Sequence, residues 1–146
     1  MTVVTAALRR LVEERAGNVC EYCGISAKAT FAAHEVDHVI AVKHGGLTEE
    51  SNLALACLVC NQHKGSDIGS LDPESGALVP LFHPRRDSWT EHFEIMDLQI
   101  LGRTPSGRAT ARLLQLNRSD RVRERAYLTR VGLWGPPVLA ESPPRP

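Results

Sequence analysis

Long apolar runs are missing from this chain. No stretch approaches the roughly 20 apolar residues that a bilayer-spanning helix needs, and nothing at the N-terminus joins a basic start to an apolar core. A membrane protein and a secreted one are therefore not expected, and the expected setting is the cytoplasm. Aromatic residues are scarce, 5% of 146, so aliphatic side chains must supply most of any core. Net charge is absent as well, since 17 Lys and Arg balance 17 Asp and Glu. That balance hides an asymmetry: residues 103 to 131 carry eight arginines against only Asp120 and Glu124, which keeps a phosphate-bearing partner in play. No internal repeat and no coiled-coil heptad is visible. What is present is an ordinary globular composition, 42% hydrophobic and 23% charged, in a chain long enough for one core but hardly two.

Cysteine is used sparingly but with a pattern. Cys20-Glu21-Tyr22-Cys23 and Cys57-Leu58-Val59-Cys60 are two C-x2-C pairs separated by 33 residues. Four such thiols can form two disulfides, stay free, or hold one tetrahedral ion. In a reducing compartment disulfides rarely persist, and a C-x2-C turn presents two thiolates to one metal, so a structural Zn2+ bound by all four is expected. The 33-residue gap is longer than in a short zinc ribbon, so something must fold between the pairs.

Thr5 to Ala16 places Leu8, Leu11 and Val12 opposite Arg9, Arg10, Glu13 and Glu14, an amphipathic helix stopped by Gly17. Thr30 to Val42 has the β-branched and apolar content of a strand or strand pair and ends at the turn signal Gly45-Gly46. Asn52 to Ala56 returns apolar residues, and the second cysteine pair opens a short helix through about Lys64. The order is strand, loop, strand, helix, with zinc tying the ends.

Within that frame Asp37 and His38 are adjacent on a strand and point to opposite faces. Asp37 can offer a hard oxygen to a divalent cation, while His38 can take a proton from water attacking a phosphate. On the helix, Asn61 and Lys64 are three residues apart and share a face, whereas His63 lies roughly 200° around from Asn61. Asn61 is the better second ligand, His63 the fallback, and Lys64 is placed to neutralise a phosphate oxygen. His34 and His44 read as solvent-facing or supporting residues, and His83 and His92 as packing or surface residues.

The run Glu35-Val36-Asp37-His38-Val39-Ile40, then Gly45-Gly46, Asn52-Leu53 and Cys57-x2-Cys60-Asn61-x2-Lys64-Gly65 resembles the HNH endonuclease motif in its ββα-metal (His-Me finger) form, in the subtype stabilised by four cysteines. The likeness covers approximately residues 18 to 66. It implies an α+β fold with an N-terminal helix and a helical C-terminal extension. It also implies hydrolysis of phosphodiester bonds, with DNA the expected partner, and a catalytic Mg2+ or Mn2+ beside the structural zinc. On the resemblance Asp37 matches the catalytic-metal carboxylate, His38 the general base and Asn52 the asparagine that braces the loop holding that base. Asn61 stands where the motif usually ends in histidine, an amide oxygen in place of an imidazole. Some bacterial members carry a similar extension after the motif, which makes a bacterial cytoplasm the expected setting.

Three segments are expected: a zinc-stabilised nuclease domain over 1–66, an extension packed on it over 67–135, and a flexible tail over 136–146. In the extension, Asp67 to Gly76 reads as a polar loop, Leu78 to His83 as a strand, and Pro84 to Phe93 as a turn anchored by Trp89 and Phe93. Gly107 to Asn117 and Asp120 to Val131 read as helices, the first burying Ala109, Leu113, Leu114 and Leu116, the second Val122, Ala126 and Tyr127. Their arginines, among them Arg108 and Arg112, either track a nucleic-acid backbone or form a solvated face. Two rival functions stand beside the nuclease: a non-catalytic zinc module that binds nucleic acid, and a thiol redox protein using one C-x2-C as a dithiol.

Overall fold

The computed structural model describes residues 3–137. Helix α1 (Ala6–Ala16) starts at Thr5, whose hydroxyl accepts the Leu8 N–H, and stops where Gly17 turns left-handed at φ 63°. The first cysteine pair follows. The expected strand over Thr30 to Val42 is shorter than its composition suggests: β1 spans only Glu35–His38, flanked by 3₁₀ turns at Ala27–Ala29 and Val42–His44. It pairs antiparallel with β2 (Leu53–Ala56), with Asp37 opposite Ala54 and His38 opposite Leu53. Helix α2 (Leu58–Lys64) begins at Cys57, whose sulfur accepts the Cys60 N–H.

Every residue of β2 is buried. Its alternation sends Leu53 and Leu55 against Val12 and Ala16 of α1, and Ala56 into a second cluster with all four cysteines. That second cluster also holds Phe82, Trp89, Phe93, Leu114 and Leu128, so the cysteine site and the C-terminal extension share one core.

The extension is built from two hairpins and three helices. Strands β3 (Gly69–Leu71) and β4 (Leu78–Pro80) replace part of the expected polar loop and shorten the expected strand. Between them Asp72, with no exposed surface, accepts from Glu74 N, Ser75 N and Ser75 Oγ. Helix α3 (Trp89–His92) runs into β5 (Phe93–Met96), which pairs with β6 (Gln99–Gly102). This hairpin has no turn signal, because its two-residue turn puts Asp97 and Leu98 at φ 49° and 67°, a conformation that favours Asn or Gly. Helix α4 (Pro105–Leu113) is capped by Thr104, and α5 (Ser119–Arg130) follows.

Two expectations about these helices are corrected. In α5 the buried residues are Arg121, Arg125 and Leu128, while Tyr127 is 67% exposed. Two of the arginines are therefore structural. Arg125 donates to the carbonyls of Leu98 and Leu116 and lies over the Trp134 ring at 5.6 Å, so it holds the irregular β5–β6 turn against the end of α4. Arg108, expected to meet nucleic acid, instead makes a two-pronged pair with Asp72 at 2.9 and 3.0 Å. Arg112 is exposed. Of the tail expected over 136–146, residues 138–146 lie outside the described residues, and Pro137 is buried.

Trp89 is 2% exposed, stacks on Phe93 at a 5.1 Å centroid separation, and donates its indole N–H to the Tyr22 carbonyl at 3.0 Å. Trp89→Ala removes both contacts and is expected to cost about 3–5 kcal/mol, read as a lower urea midpoint at unchanged slope. A midpoint equal to the parent's would show that this ring does not join the extension to the cysteine site.

Candidate active site and metal centre

The four cysteine sulfurs lie within 4.8 Å of one another, all buried, and Cys23 and Cys57 Sγ are 3.7 Å apart. Ligands at a Zn–S distance of about 2.3 Å in a tetrahedron stand roughly 3.8 Å from each other, close to the Cys23–Cys57 separation, so the cluster is consistent with a zinc site. The N–H groups of Cys23 and Cys60 donate to Cys20 and Cys57 Sγ, both at 3.4 Å. The sulfurs are too crowded to ionise together unaided: hydrogen bonds from Cys20, Cys23 and Cys60 hold Cys57 far below the usual thiol range, while burial pushes Cys20 well up. A divalent cation at the centre would remove that conflict. A cluster of all four sulfurs fits a metal site better than a reactive dithiol, which needs only one pair.

The two residues inside the first pair do structural work that no spacing rule predicts. Glu21, 5% exposed, exchanges hydrogen bonds with Leu55 through its backbone N–H and its carboxylate, and pairs with Arg85. Tyr22 packs edge-on to Phe82 and donates its hydroxyl to Asp37 Oδ2 at 2.8 Å.

Asp37 is 5% exposed. Besides Tyr22, it is held by the Lys64 ammonium, 3.2 Å from Oδ1 and 3.1 Å from Oδ2. Burial raises its pKa from the ordinary carboxylate value, and Lys64 and Tyr22 pull it back. Lys64, 1% exposed, also donates to the His38 carbonyl at 3.2 Å. The role expected for Lys64 as a phosphate-binding cation is corrected: its amine is a buried clamp tying the end of α2 to β1.

On the opposite face of β1, His38 is half-buried and its Nε2 is hydrogen-bonded to Thr48 Oγ1 at 2.8 Å. Nδ1 has no protein partner among the described residues. Asn52 ends the 3₁₀ turn immediately before β2 and holds the intervening loop at three points: its Oδ1 accepts from Ile40 N, and its Nδ2 donates to the carbonyls of Ile40 and Leu47, all at 2.9 Å. The two glycines in that loop have different reasons. Gly45 is left-handed at φ 90°, whereas a Cβ on Gly46 would collide with the Ile40 carbonyl and the Asn52 amide.

Asn61 is half-buried, and its side-chain amide makes no hydrogen bond to protein among the described residues. It is an available oxygen donor on α2. His63 points elsewhere, its Nδ1 bonded to the Leu114 carbonyl at 2.9 Å, so the fallback ligand is in fact a brace between α2 and the extension. Of the two alternatives for His34, solvent-facing or supporting, the first does not hold: it is buried, with Nε2 bonded to the Ile25 carbonyl. Next to β1 a cleft of about 210 Å3 runs between the motif and the extension, lined by Val39, Ile40, Lys64, His83 and Arg86 among others. Arg86 also borders a second cleft with Arg15, Glu50, Ser51 and Arg85.

With this geometry in view, the comparison with known families is specific. The family model for HNH endonucleases matches residues 20–67, from the first zinc-cage cysteine to just beyond α2. That segment, about a third of an α+β chain, is similar to HNH endonuclease domains and carries four clustered cysteines able to hold a metal ion. No curated protein and no solved structure matches the chain. Among the described residues no helix is long and apolar enough to cross a membrane.

Two substitutions separate the roles of cage and loop. Cys57→Ser is expected to reduce bound zinc from one per chain to below about a tenth and to abolish cooperative thermal unfolding, because binding energy at a small metal site is folding energy. Full zinc at parental stability would overturn the cage. Gly46→Val must push Ile40 from Asn52; the expected result is a fold that keeps its zinc while amide exchange at residues 40–48 accelerates, checked by mass spectrometry.

Proposed function

We propose that the protein is a metal-dependent HNH endonuclease that hydrolyses phosphodiester bonds, with DNA as substrate. The observation that carries this reading is the three-point grip of Asn52 on the loop after β1. It fixes the segment bearing Thr48, which in turn fixes the imidazole of His38. With the proton on Nε2 shared with Thr48, the Nδ1 lone pair of His38 is left to take a proton from water as it attacks phosphorus. Thr48 keeps the ring from rotating, and its hydroxyl oxygen can accept the Nε2–H of the tautomer that this role needs.

A hard divalent cation, Mg2+ or Mn2+, would be held by the Asn61 amide oxygen and by Asp37, and when bound would supply electrostatic stabilisation of the charge that builds on phosphate and leaving oxygen. The donor set fits that cation in part: Asn61 is uncommitted, whereas Asp37 would have to share its carboxylate with Lys64. Arg86 lines both clefts and is exposed, which puts a cation where the backbone of a bound strand could pass.

One observation favours a second reading, a nucleic-acid-binding domain without turnover. The Asp37 carboxylate is buried with both oxygens taken by Tyr22 and Lys64, the arrangement of a structural ion pair.

A plasmid-cleavage assay with Mg2+ or Mn2+ distinguishes them. The parent is expected to cut, and His38→Ala to cut at least about 100-fold more slowly with zinc content and circular dichroism unchanged. Equal cutting by both would reject His38 as the base. A parent that shifts DNA in a gel but cuts with neither cation would establish the second reading.

A further inference from the structure

Helix α5 lies far outside the matched HNH segment, yet one of its side chains reaches the sulfur cage. Arg121 is 6% exposed, and its Nη2 donates to Cys23 Sγ at 3.1 Å and lies 3.5 Å from Cys57 Sγ. Those sulfurs belong to different cysteine pairs, so one guanidinium nitrogen bridges the two halves of the cage. Among the described residues the only carboxylate paired with it is Glu124, at 3.3 Å and with a 42% exposed side chain, a weak partner for a buried cation. Four thiolates around a divalent ion carry two excess negative charges, and burying them is costly unless cationic or N–H donors face the sulfurs. A cation that needs an anion and an anion that needs a cation meet at this point.

We infer that Arg121 is an outer member of the zinc centre, offsetting part of the charge of the metal–thiolate group and making the docking of α5 on the HNH domain conditional on zinc. Without the ion nothing gathers the sulfurs of the two cysteine pairs into one cluster, and the two acceptors bridged by the Arg121 guanidinium are free to separate. The expected consequence is release of α5 on loss of zinc. In the other direction, loss of the guanidinium removes the donor that joins Cys23 and Cys57 across the two pairs, so zinc is given up faster. This inference is independent of whether the domain cleaves nucleic acid.

The test uses the full zinc-loaded chain and two readouts: the rate of zinc transfer to an excess of a chromophoric chelator, and hydrogen exchange of the α5 amides. Arg121→Met is expected to transfer zinc at least about tenfold faster and to lose α5 protection. Arg121→Lys, which keeps the charge but not the fork, should fall between and serves if the methionine variant does not fold. Leu128→Ala weakens the same helix by removing a core side chain that, unlike Arg121, offers no N–H donor to the sulfurs; it should speed exchange in α5 while leaving zinc transfer within about twofold of the parent. Stripping zinc from the parent should expose α5 before α4. The inference is overturned if Arg121→Met and Arg121→Lys transfer zinc at the parental rate, if Leu128→Ala accelerates transfer as much as Arg121→Met, or if α5 protection survives zinc removal.

Discussion

Four sulfurs forced into a space less than 5 Å across are the constraint on which this fold depends. Crowded thiolates repel and crowded thiols waste burial, so the arrangement is stable only around a cation. Two of the sulfurs precede β1 and two open α2. Fixing them therefore fixes both ends of the intervening strand–loop–strand segment, and with it the places of Asp37, His38 and Asn52. Nothing else in that segment is extensive enough to do so: β1 and β2 are four residues each, and a two-stranded sheet of that size is not stable alone.

Around this centre the polar interior is unusually dense. Glu21 with Arg85, Asp37 with Lys64 and Tyr22, and Arg121 with two sulfurs are all largely removed from water. Each is a case where removing one partner would strand the other, which typically costs about 3–5 kcal/mol, although the intact pair adds little to stability compared with an apolar replacement. Such groups specify which face meets which. The few aromatic rings are used in one place: Tyr22, Phe82, Trp89 and Phe93 are concentrated where the HNH-like segment meets the extension, and directional bonds supply the register elsewhere.

The parts of this molecule legible in the sequence are those whose chemistry needs fixed spacing. Two C-x2-C pairs announce the cage, Gly17 ends α1, and the apolar run from Leu53 to Ala56 gives β2. The hidden parts depend on partners distant in the chain. Nothing around Thr48 marks it as the partner of His38. Lys64 reads as a cation for substrate because its carboxylate lies 27 residues away, and Arg108 likewise because Asp72 is 36 residues away. Arg121 is hidden among eight arginines for the same reason. The β5–β6 hairpin carries no local signal because Leu98 occupies a backbone conformation its side chain does not advertise, held by Arg125 through its carbonyl.

Both tryptophans cap adjacent carbonyls of the first cysteine turn: Trp89 donates to Tyr22 and Trp134 to Cys23, 67 and 111 positions later in the chain. Synthesis from the N-terminus therefore delivers a metal cage complete by residue 60 long before either indole exists to roof it. During that interval the nascent chain carries open thiolates and an exposed apolar floor. Chains that capture the ion early hold the shape onto which the later helices settle, and those that do not present the ribosome exit with a sticky, oxidisable intermediate.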